Sequence, residues 1–264
     1  MIAIIGGGKM GEALLAGLLA TGYEADQLLV TEPNRERAEE LHARYGVAVV
    51  PPADSASRAG TVILAVKPQD MVELLDRIDG DLGSDTLVVS IAAGITTSLL
   101  EKHLSGDVAV VRAMPNTPAL VGRGMTAVAG GAHTGDGQLD HAESLLRSVG
   151  EVVRVSERHV DTVTAISGSG PAYFYFIAET MIEAGVAMGM TRAAAKKLVT
   201  QTIGGAAAML GDPGAHPVVL REAVTSPGGT TAAAVRELER HGVRTAFTDA
   251  IEAARERSRE LSEG

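Results

Sequence analysis

The chain has 264 residues, of which 45% are hydrophobic and only 3% aromatic, and its formal net charge at pH 7 is −10. This length and composition fit one large or two ordinary globular domains whose cores are mostly aliphatic. The acidic charge argues against a nucleic-acid partner, and the absence of cysteine excludes disulfides, a thiolate nucleophile and cysteine-ligated metals. The chain opens directly on a strand-like run, and Glu179 and Glu183 interrupt its longest apolar stretch, 172–190. We therefore expect a soluble, cytoplasmic protein without a membrane partner.

In the first 160 residues, short β-rich runs alternate with helical patterns. This alternation predicts an α/β fold with a Rossmann-like, mostly parallel sheet. The predicted strands cover residues 1–5, 28–31, 47–50, 61–66, 86–91, 108–113, 125–129 and 152–155, and the predicted helices 10–20, 34–45, 69–78 and 138–149.

Strand signals stop after about residue 161, which predicts an all-helical second region. Ser169 can cap a helix that runs to about Met188, and Thr191 a second one that ends near Gly211. Two more helices are predicted over 230–240 and 244–261. The first of the four is apolar on nearly every side and so must be buried on more than one face, which predicts a partner subunit. We place a dinucleotide-binding Rossmann domain at 1–158 and a helical dimerisation and substrate-binding domain at 159–264.

Gly6, Gly8 and Gly11 form the spacing G-x-G-x-x-G between the first predicted strand and helix. In that context the first glycine permits the tight turn, the second lets the backbone approach a pyrophosphate, and the third lets helix and strand pack closely. The pattern predicts dinucleotide binding.

The end of the second strand, where an adenosine ribose is expected, carries two opposing signals. Glu32 can accept hydrogen bonds from a ribose diol, which favours NAD. Arg35, with Asn34, can instead hold a 2′-phosphate, which favours NADP, or it is simply a solvated first-turn side chain. The sequence leaves both cofactors open.

Three later segments end strands at the edge of the sheet where ligands bind in open parallel sheets. They are AVKPQ at 65–69, SIAAG at 90–94 and RAMPNTPA at 112–119. Lys67 is either a cofactor contact or an ordinary exposed lysine. Asn116 is either a donor and acceptor near the nicotinamide or a turn residue between two prolines.

The segment VTSPGGTT, residues 224–231, leads into an alanine-rich helical pattern. A helix start of this kind leaves backbone N–H groups unpaired and places hydroxyls beside them, so it either binds an anion or is only a capped helix. The seven histidines are scattered without ligand spacing, so we expect no metal site.

Taken together, these segments resemble the pyrroline-5-carboxylate reductase family over essentially the whole chain. The residues that carry the resemblance are IIGGGKMGEALLAGL, AVKPQ, AAGI, VRAMPNTPA, AISGSGPAY, the His216-Pro217 pair and VTSPGGTT. The resemblance implies reduction of 1-pyrroline-5-carboxylate to L-proline by NAD(P)H, the last step of proline biosynthesis. It also implies a homodimer with interleaved C-terminal helices, often assembled into a decamer.

The resemblance assigns roles to residues of this sequence. Facing the pyrophosphate would be Gly6, Gly7, Gly8, Lys9 and Met10, with Gly11 packing behind them. Near the nicotinamide would be Ala65, Val66, Lys67, Pro68, Ala93, Gly94 and Asn116. The cyclic imine substrate would be held by Ser226, Gly228, Gly229, Thr230 and Thr231, in a loop that serves the cofactor of the neighbouring subunit.

The resemblance further implies that N–H groups near Gly229 bind the substrate carboxylate while Thr231 bonds the imine nitrogen. NADPH is the usual cofactor of the family. Relatives often place Asn or Ser followed by Arg where this chain has Glu32-Pro33, so NADH stays an alternative.

Two alternative functions compete with this one. A β-hydroxyacid dehydrogenase would need a lysine and an asparagine where this chain has Phe174 and Ala178. A non-catalytic dinucleotide-binding regulator would not need to retain the polar groups of the C-terminal loop.

Overall fold

The structure is a computed structural model that describes residues 1–263. Over these residues the chain forms one eight-stranded sheet and twelve α-helices. The strands are β1 (Ile2–Ile5), β2 (Leu28–Thr31), β3 (Ala48–Val49), β4 (Thr61–Leu64), β5 (Leu87–Ser90), β6 (Ala109–Met114), β7 (Gly124–Gly130) and β8 (Gly150–Arg154). The helices are α1 (Lys9–Ala20), α2 (Arg35–Tyr45), α3 (Pro52–Arg58), α4 (Met71–Ile78), α5 (Thr97–His103), α6 (Asp136–Leu146), α7 (Val160–Val163), α8 (Gly170–Ala187), α9 (Arg192–Leu210), α10 (Pro217–Ala223), α11 (Thr230–Arg240) and α12 (Val243–Glu263).

The strand order is β3-β2-β1-β4-β5-β6-β7-β8, and every neighbouring pair is parallel except β6 and β7. From β1 the chain adds β2 and then β3 on one side. It then returns to the other side of β1, where it adds β4 and the remaining strands in order. The switch point therefore lies between β1 and β4, and a crevice beyond their carboxyl ends is where such sheets bind ligands. The predicted Rossmann-like, mostly parallel sheet is confirmed.

Successive residues of β1 face opposite sides of the sheet and enter two separate cores. Ile4 packs with Leu14 and Leu18 of α1, whereas Ile5 packs with Leu75 of α4. All five are essentially excluded from solvent. A strand that is buried on both faces is a continuous apolar run without alternation, which is why MIAII lacks the polar positions of a half-buried strand.

The molecule divides into two compact units, of which the first contains Met1–Ser169 and the chain from Ala254 onward, and the second Gly170–Ala253. Within the first unit, a polar contact joins the end of α12 to the segment that follows the sheet. Ser258 donates a hydrogen bond of 2.8 Å to Asp161, which lies 4.0 Å from the buried guanidinium of Arg112. Arg112 also bonds Glu157 at 3.3 Å, and Glu157 accepts from the backbone N–H of Thr97 at 2.7 Å. The boundary at 158/159 drawn from sequence stays a prediction about domains.

The second unit has very little core of its own. Among its described residues, Ala195 and Val199 are the buried hydrophobic side chains. Tyr173 and Phe247 meet edge to face with ring centroids 6.4 Å apart. Phe174 and Phe176 of α8 are exposed over 60% and 71% of their surface. A helical unit that leaves large aromatics in water needs another surface to cover them.

One predicted helix start is wrong, and several short helical elements were not predicted. Ser169 does not cap α8, because its backbone is helical (φ −82°, ψ −20°) and the π-helical turn Thr164–Gly168 leads into it. That turn and the short helices α3, α5, α7 and α10 were not predicted. Thr191 caps α9 as predicted, with its hydroxyl accepting from the N–H of Ala194 at 3.3 Å.

Candidate active site

The glycine loop lies at the switch point between β1 and β4. Gly6 follows β1 with φ +116°, and a Cβ there would stand 2.4 Å from the carbonyl oxygen of Ala65, which follows β4. A Cβ on Gly11 would stand 2.0 Å from the carbonyl oxygen of Gly6. Both positions therefore require glycine, as the motif predicted.

The same loop leaves room where a pyrophosphate would lie. Gly8 is the N-cap of α1, and a Cβ added to it would meet nothing within 4 Å. The N–H groups of the following Lys9 and Met10 belong to the first turn of α1, which has no intrahelical acceptors for them. The positive end of the helix thus faces open space, an arrangement that fits a bound pyrophosphate.

A groove of about 600 Å³ continues from this loop beyond the ends of β2 and β3. Glu32 lines it directly after β2, and its carboxylate accepts hydrogen bonds from the N–H of Gly7 at 3.0 Å and of Asn34 at 2.9 Å. These two bonds fix the carboxylate beside the glycine loop. An adenosine ribose is expected at this place in a dinucleotide-binding sheet.

The two basic candidates for a 2′-phosphate contact are not equivalent in the structure. The side chain of Arg35 is 92% exposed and pairs with Glu39 one turn along α2. Asn34 uses its side-chain oxygen to cap α2, accepting from the N–H of Arg37 at 3.0 Å. The structure thus places Arg35 on the outer surface of α2 and gives Asn34 a capping role.

Arg37 and Glu12 support the glycine loop, and the sequence did not single them out. Arg37 donates from Nε to the carbonyl oxygen of Gly7 at 3.0 Å and also bonds Glu12. Glu12 further accepts from Arg44 and Tyr45, each at 2.8 Å. Burial by itself would raise the pKa of Glu12, but hydrogen bonds from Arg37 and Tyr45 and the two arginine charges lower it overall. Glu12 lies one turn after Gly8 in sequence, but its partners in α2 could not be read from local spacing.

The segments after β4 and β5 lie at the same edge of the sheet. The N–H of Ala65 bonds the carbonyl oxygen of Ile5 at 2.8 Å, so the start of 65–68 is fixed against the glycine loop. Lys67 is exposed and precedes the 3₁₀ turn Pro68–Asp70. Ala93 is exposed, and Gly94 has φ +77° with the carbonyl oxygen of Leu261 2.9 Å from where its Cβ would be.

Asn116 joins three segments of the first unit. Its Nδ2 donates to the carbonyl oxygen of Ser167 at 3.0 Å, and its Oδ1 accepts from the N–H of Met125 at 2.9 Å. Both polar ends of the amide therefore have partners within the fold. Asn116 thus fixes the loop after β6, in keeping with the alternative of a turn residue, through partners that the sequence did not indicate.

The C-terminal loop in the second unit leads into α11, whose first turn receives no hydrogen bond from a capping side chain. Gly228 has φ +72°, and Gly229 is the N-cap of α11 but has no side chain to cap it. A Cβ on Gly229 would stand 2.6 Å from the Oγ of Ser226. The hydroxyls of Thr230, which is exposed, and Thr231, which is half-buried, lie in the first turn. Gly229 caps α11 without a side-chain hydrogen bond, so the choice between an anion site and a helix start that is only capped stays a prediction.

Among the residues that the structure describes, no group of three or more His, Asp or Glu side chains is placed to hold a metal ion. In the same range, none of the helices has the length and hydrophobicity needed to cross a membrane.

Comparison with known proteins covers both units. Residues 157–261 match the model "Pyrroline-5-carboxylate reductase dimerisation", and residues 1–94 match "NADP oxidoreductase coenzyme F420-dependent". A pyrroline-5-carboxylate reductase of Corynebacterium melassecola is 46% identical over 98% of each chain. The chain belongs to the pyrroline-5-carboxylate reductase family.

Solved structures agree with this membership. A pyrroline-5-carboxylate reductase of Coxiella burnetii is 39% identical and superimposes with a TM-score of 0.95, covering 99% of this chain and 98% of its own. The pyrroline carboxylate reductase of Plasmodium falciparum, solved with NADP bound, is 30% identical with a TM-score of 0.87, covering 99% and 97%. The reductase family thus accounts for the glycine loop and the C-terminal loop together, and the β-hydroxyacid dehydrogenase alternative is set aside.

Proposed function

We propose that this protein reduces 1-pyrroline-5-carboxylate to L-proline with NAD(P)H, as a homodimer that can assemble further into a decamer. The observation that carries the proposal is family membership over nearly the whole chain, with both glycine segments in a geometry that suits a ligand. The NADP in the Plasmodium falciparum relative supports a nicotinamide dinucleotide as the reductant. When bound, the nicotinamide supplies a hydride to the imine carbon.

The cofactor half of the site is proposed to lie in the first unit. The N–H groups at the start of α1 bind the pyrophosphate, and the absence of a side chain at Gly8 lets it approach the backbone. The exposed residues that follow β4 and β5, Lys67 and Ala93, line the nicotinamide half. Asn116 acts there by fixing the loop after β6, because both of its polar ends are bonded within the fold.

The substrate half is proposed to be the loop before α11. The N–H of Gly229 already bonds the carbonyl oxygen of Ser226 at 3.0 Å, so the donors left at the positive helix end are the first-turn N–H groups of Thr230 and Thr231, which suit the substrate carboxylate. Hydrogen bonds to a charged group contribute roughly 1.5–3 kcal/mol each, which is enough to orient a small ring. The Thr231 hydroxyl bonds the imine nitrogen and orients it. A proton from solvent converts the imine nitrogen to an iminium, and a hydride added to the carbon of that iminium would give the amine of proline. The iminium is already electrophilic, so positioning supplies much of the rate and a strong acid is not required.

Substrate specificity tests the function. NADPH and NADH oxidation is measured with 1-pyrroline-5-carboxylate and with a panel of 2-oxo and 3-oxo acids. We expect turnover on the cyclic imine alone. If neither cofactor is oxidised with the imine, the protein is not this reductase, and intact NAD⁺ binding would then favour a non-catalytic regulator.

Thr231→Ala tests the proposed substrate contact. The variant should bind NAD⁺ and NADP⁺ as the wild type does, while kcat/KM on the imine falls by roughly tenfold or more, since the lost hydroxyl acts on the reacting group. Thr225→Ala is the matched control, because that hydroxyl bonds the carbonyl oxygen of Arg221 at 2.6 Å within its own turn. An unchanged kcat/KM in Thr231→Ala would remove Thr231 from the mechanism.

A further inference from the structure

We propose that Glu32 sets the choice of reductant and makes this enzyme prefer NADH to NADPH. The inference rests on the proposed function and deepens it at the adenosine end of the cofactor groove. Glu32 directly follows β2, whose neighbour β1 ends at the glycine loop. An acidic residue at this point of a dinucleotide-binding sheet is placed to accept hydrogen bonds from the ribose hydroxyls.

The carboxylate of Glu32 is held in place and retains capacity for a diol. Each of its oxygens accepts one backbone hydrogen bond, Oε2 from Gly7 at 3.0 Å and Oε1 from Asn34 at 2.9 Å. A carboxylate has about four lone-pair sites, so one site on each oxygen is left for a ribose hydroxyl. A 2′-phosphate has no hydroxyl donors to offer these sites. Its negative charge would also be repelled by the Glu32 carboxylate, which two backbone hydrogen bonds hold in place.

The nearby cations do not offset that charge. The guanidinium of Arg37 donates hydrogen bonds to the Gly7 carbonyl oxygen, to Glu40 at 2.6 Å and to Glu12. Arg35 is paired with Glu39 on the outer surface of α2. The charged side chains that line the groove are Glu32, Asp70, Glu73 and Arg77. Three carboxylates against one guanidinium make a poor site for a phosphate dianion and a suitable one for an uncharged diol.

Equilibrium binding tests the preference without any turnover. Isothermal titration of the full-length protein with NAD⁺ and with NADP⁺ should give a lower Kd for NAD⁺. In Glu32→Gln, which keeps one carbonyl oxygen to accept a backbone N–H, the ratio of the two Kd values should move towards NADP⁺ by about tenfold or more. The ratio of kcat/KM for NADH and NADPH should move in the same direction. Glu36→Gln is the control, because it removes one charge from an exposed position of α2 and should leave the ratio as in the wild type.

Tighter binding of NADP⁺ than of NAD⁺ by the wild type would overturn the inference. So would an unchanged ratio in Glu32→Gln, or a selective loss of NADP⁺ binding in Arg35→Gln, which would assign the choice to that arginine. If the protein binds NAD⁺ more tightly than NADP⁺ but reduces no cyclic imine, the proposed function fails while the assignment of Glu32 stands.

Discussion

At the scale of single residues, Gly6 is under two constraints that no other amino acid meets. Its φ of +116° is rarely adopted by L-residues, and a Cβ would overlap the Ala65 carbonyl oxygen at 2.4 Å. Gly6→Ala should lower the free energy of unfolding by about 1–3 kcal/mol from backbone strain alone. It should also weaken NAD⁺ binding, because the loop can no longer lie against β4. Urea unfolding and titration calorimetry measure the two effects.

Gly60→Ala provides the comparison for Gly6. Gly60 directly precedes β4, its φ lies outside the left-handed region, and a Cβ there would meet nothing within 4 Å. The substitution should change the free energy of unfolding by no more than about 0.5 kcal/mol. Equal effects of the two substitutions would show that the backbone of Gly6 relaxes freely and that the tight approach to β4 is not required.

Residue roles were predictable from sequence where they depend on neighbours in the chain. The spacing of Gly6, Gly8 and Gly11 fixes the loop because all three act within one strand-to-helix turn. The partners of Asn116 were not predictable, because Ser167 lies 51 positions away. Likewise, sequence alone could not decide between Glu32 and Arg35. The proposal of Glu32 depends on which of the two side chains lines the groove and on which groups Arg37 already bonds.

At the scale of secondary-structure elements, Glu143 joins α6 to β8. Its buried carboxylate accepts from Arg147 at 2.5 Å and from Arg154 in β8. The hydrogen bond from Arg154 lowers the pKa of Glu143 below its ordinary value of 4.5; burial opposes this, and the hydrogen bond from Arg147 adds to it. A lowered pKa in the folded state means that the contribution to stability is complete above about pH 4.5 and is lost as pH falls below it.

The pH dependence of Glu143→Gln follows from this sign. At pH 7 the variant should be less stable than the wild type by about 1–3 kcal/mol, since it loses charged hydrogen bonds. The difference should shrink as pH falls below 4.5, where the wild-type carboxylate is progressively protonated. Urea unfolding between pH 7 and pH 3 measures it. Glu151→Gln, at an exposed position of β8, is the control, and its difference in the free energy of unfolding from the wild type should not change with pH in this way. If the difference for Glu143→Gln stays constant between pH 7 and pH 3, its effect is due to packing.

The strands and the longer helices were predictable, and the helices of seven residues or fewer were not. The strands and α1, α2, α9 and α11 follow from apolar spacing and caps that lie within the element itself. By contrast, α3 begins with Pro52 directly after Pro51, and α10 has only seven residues after His216. Helices this short are stabilised by packing more than by propensity, so their sequences resemble loops. No sequence pattern indicates the π-helical turn Thr164–Gly168. Because this turn leads directly into α8, Ser169 has a helical backbone and does not cap α8 as predicted.

At the scale of the whole molecule, the two units differ in how much of their apolar surface they bury. The first has two extensive cores, one on each face of its sheet. The second buries few hydrophobic side chains and leaves Phe174, Phe176 and Met188 largely in water, the last with 80% of its surface exposed. Exposed apolar patches of this kind mark association surfaces. The match of residues 157–261 to the family's dimerisation model assigns that role to this unit.

A charge on α8 tests this role. Phe176→Asp places a carboxylate on the exposed apolar face, and since a charge is costly to bury, the variant should sediment as a monomer where the wild type sediments as a dimer or larger assembly. NAD⁺ binding should persist, because the glycine loop and Glu32 belong to the first unit, whereas turnover on the cyclic imine should be lost if each active site needs the loop of the neighbouring subunit. Ser57→Asp adds the same charge to the surface of α3 and should change neither property. A dimeric Phe176→Asp with full activity would move the association surface away from this face of α8.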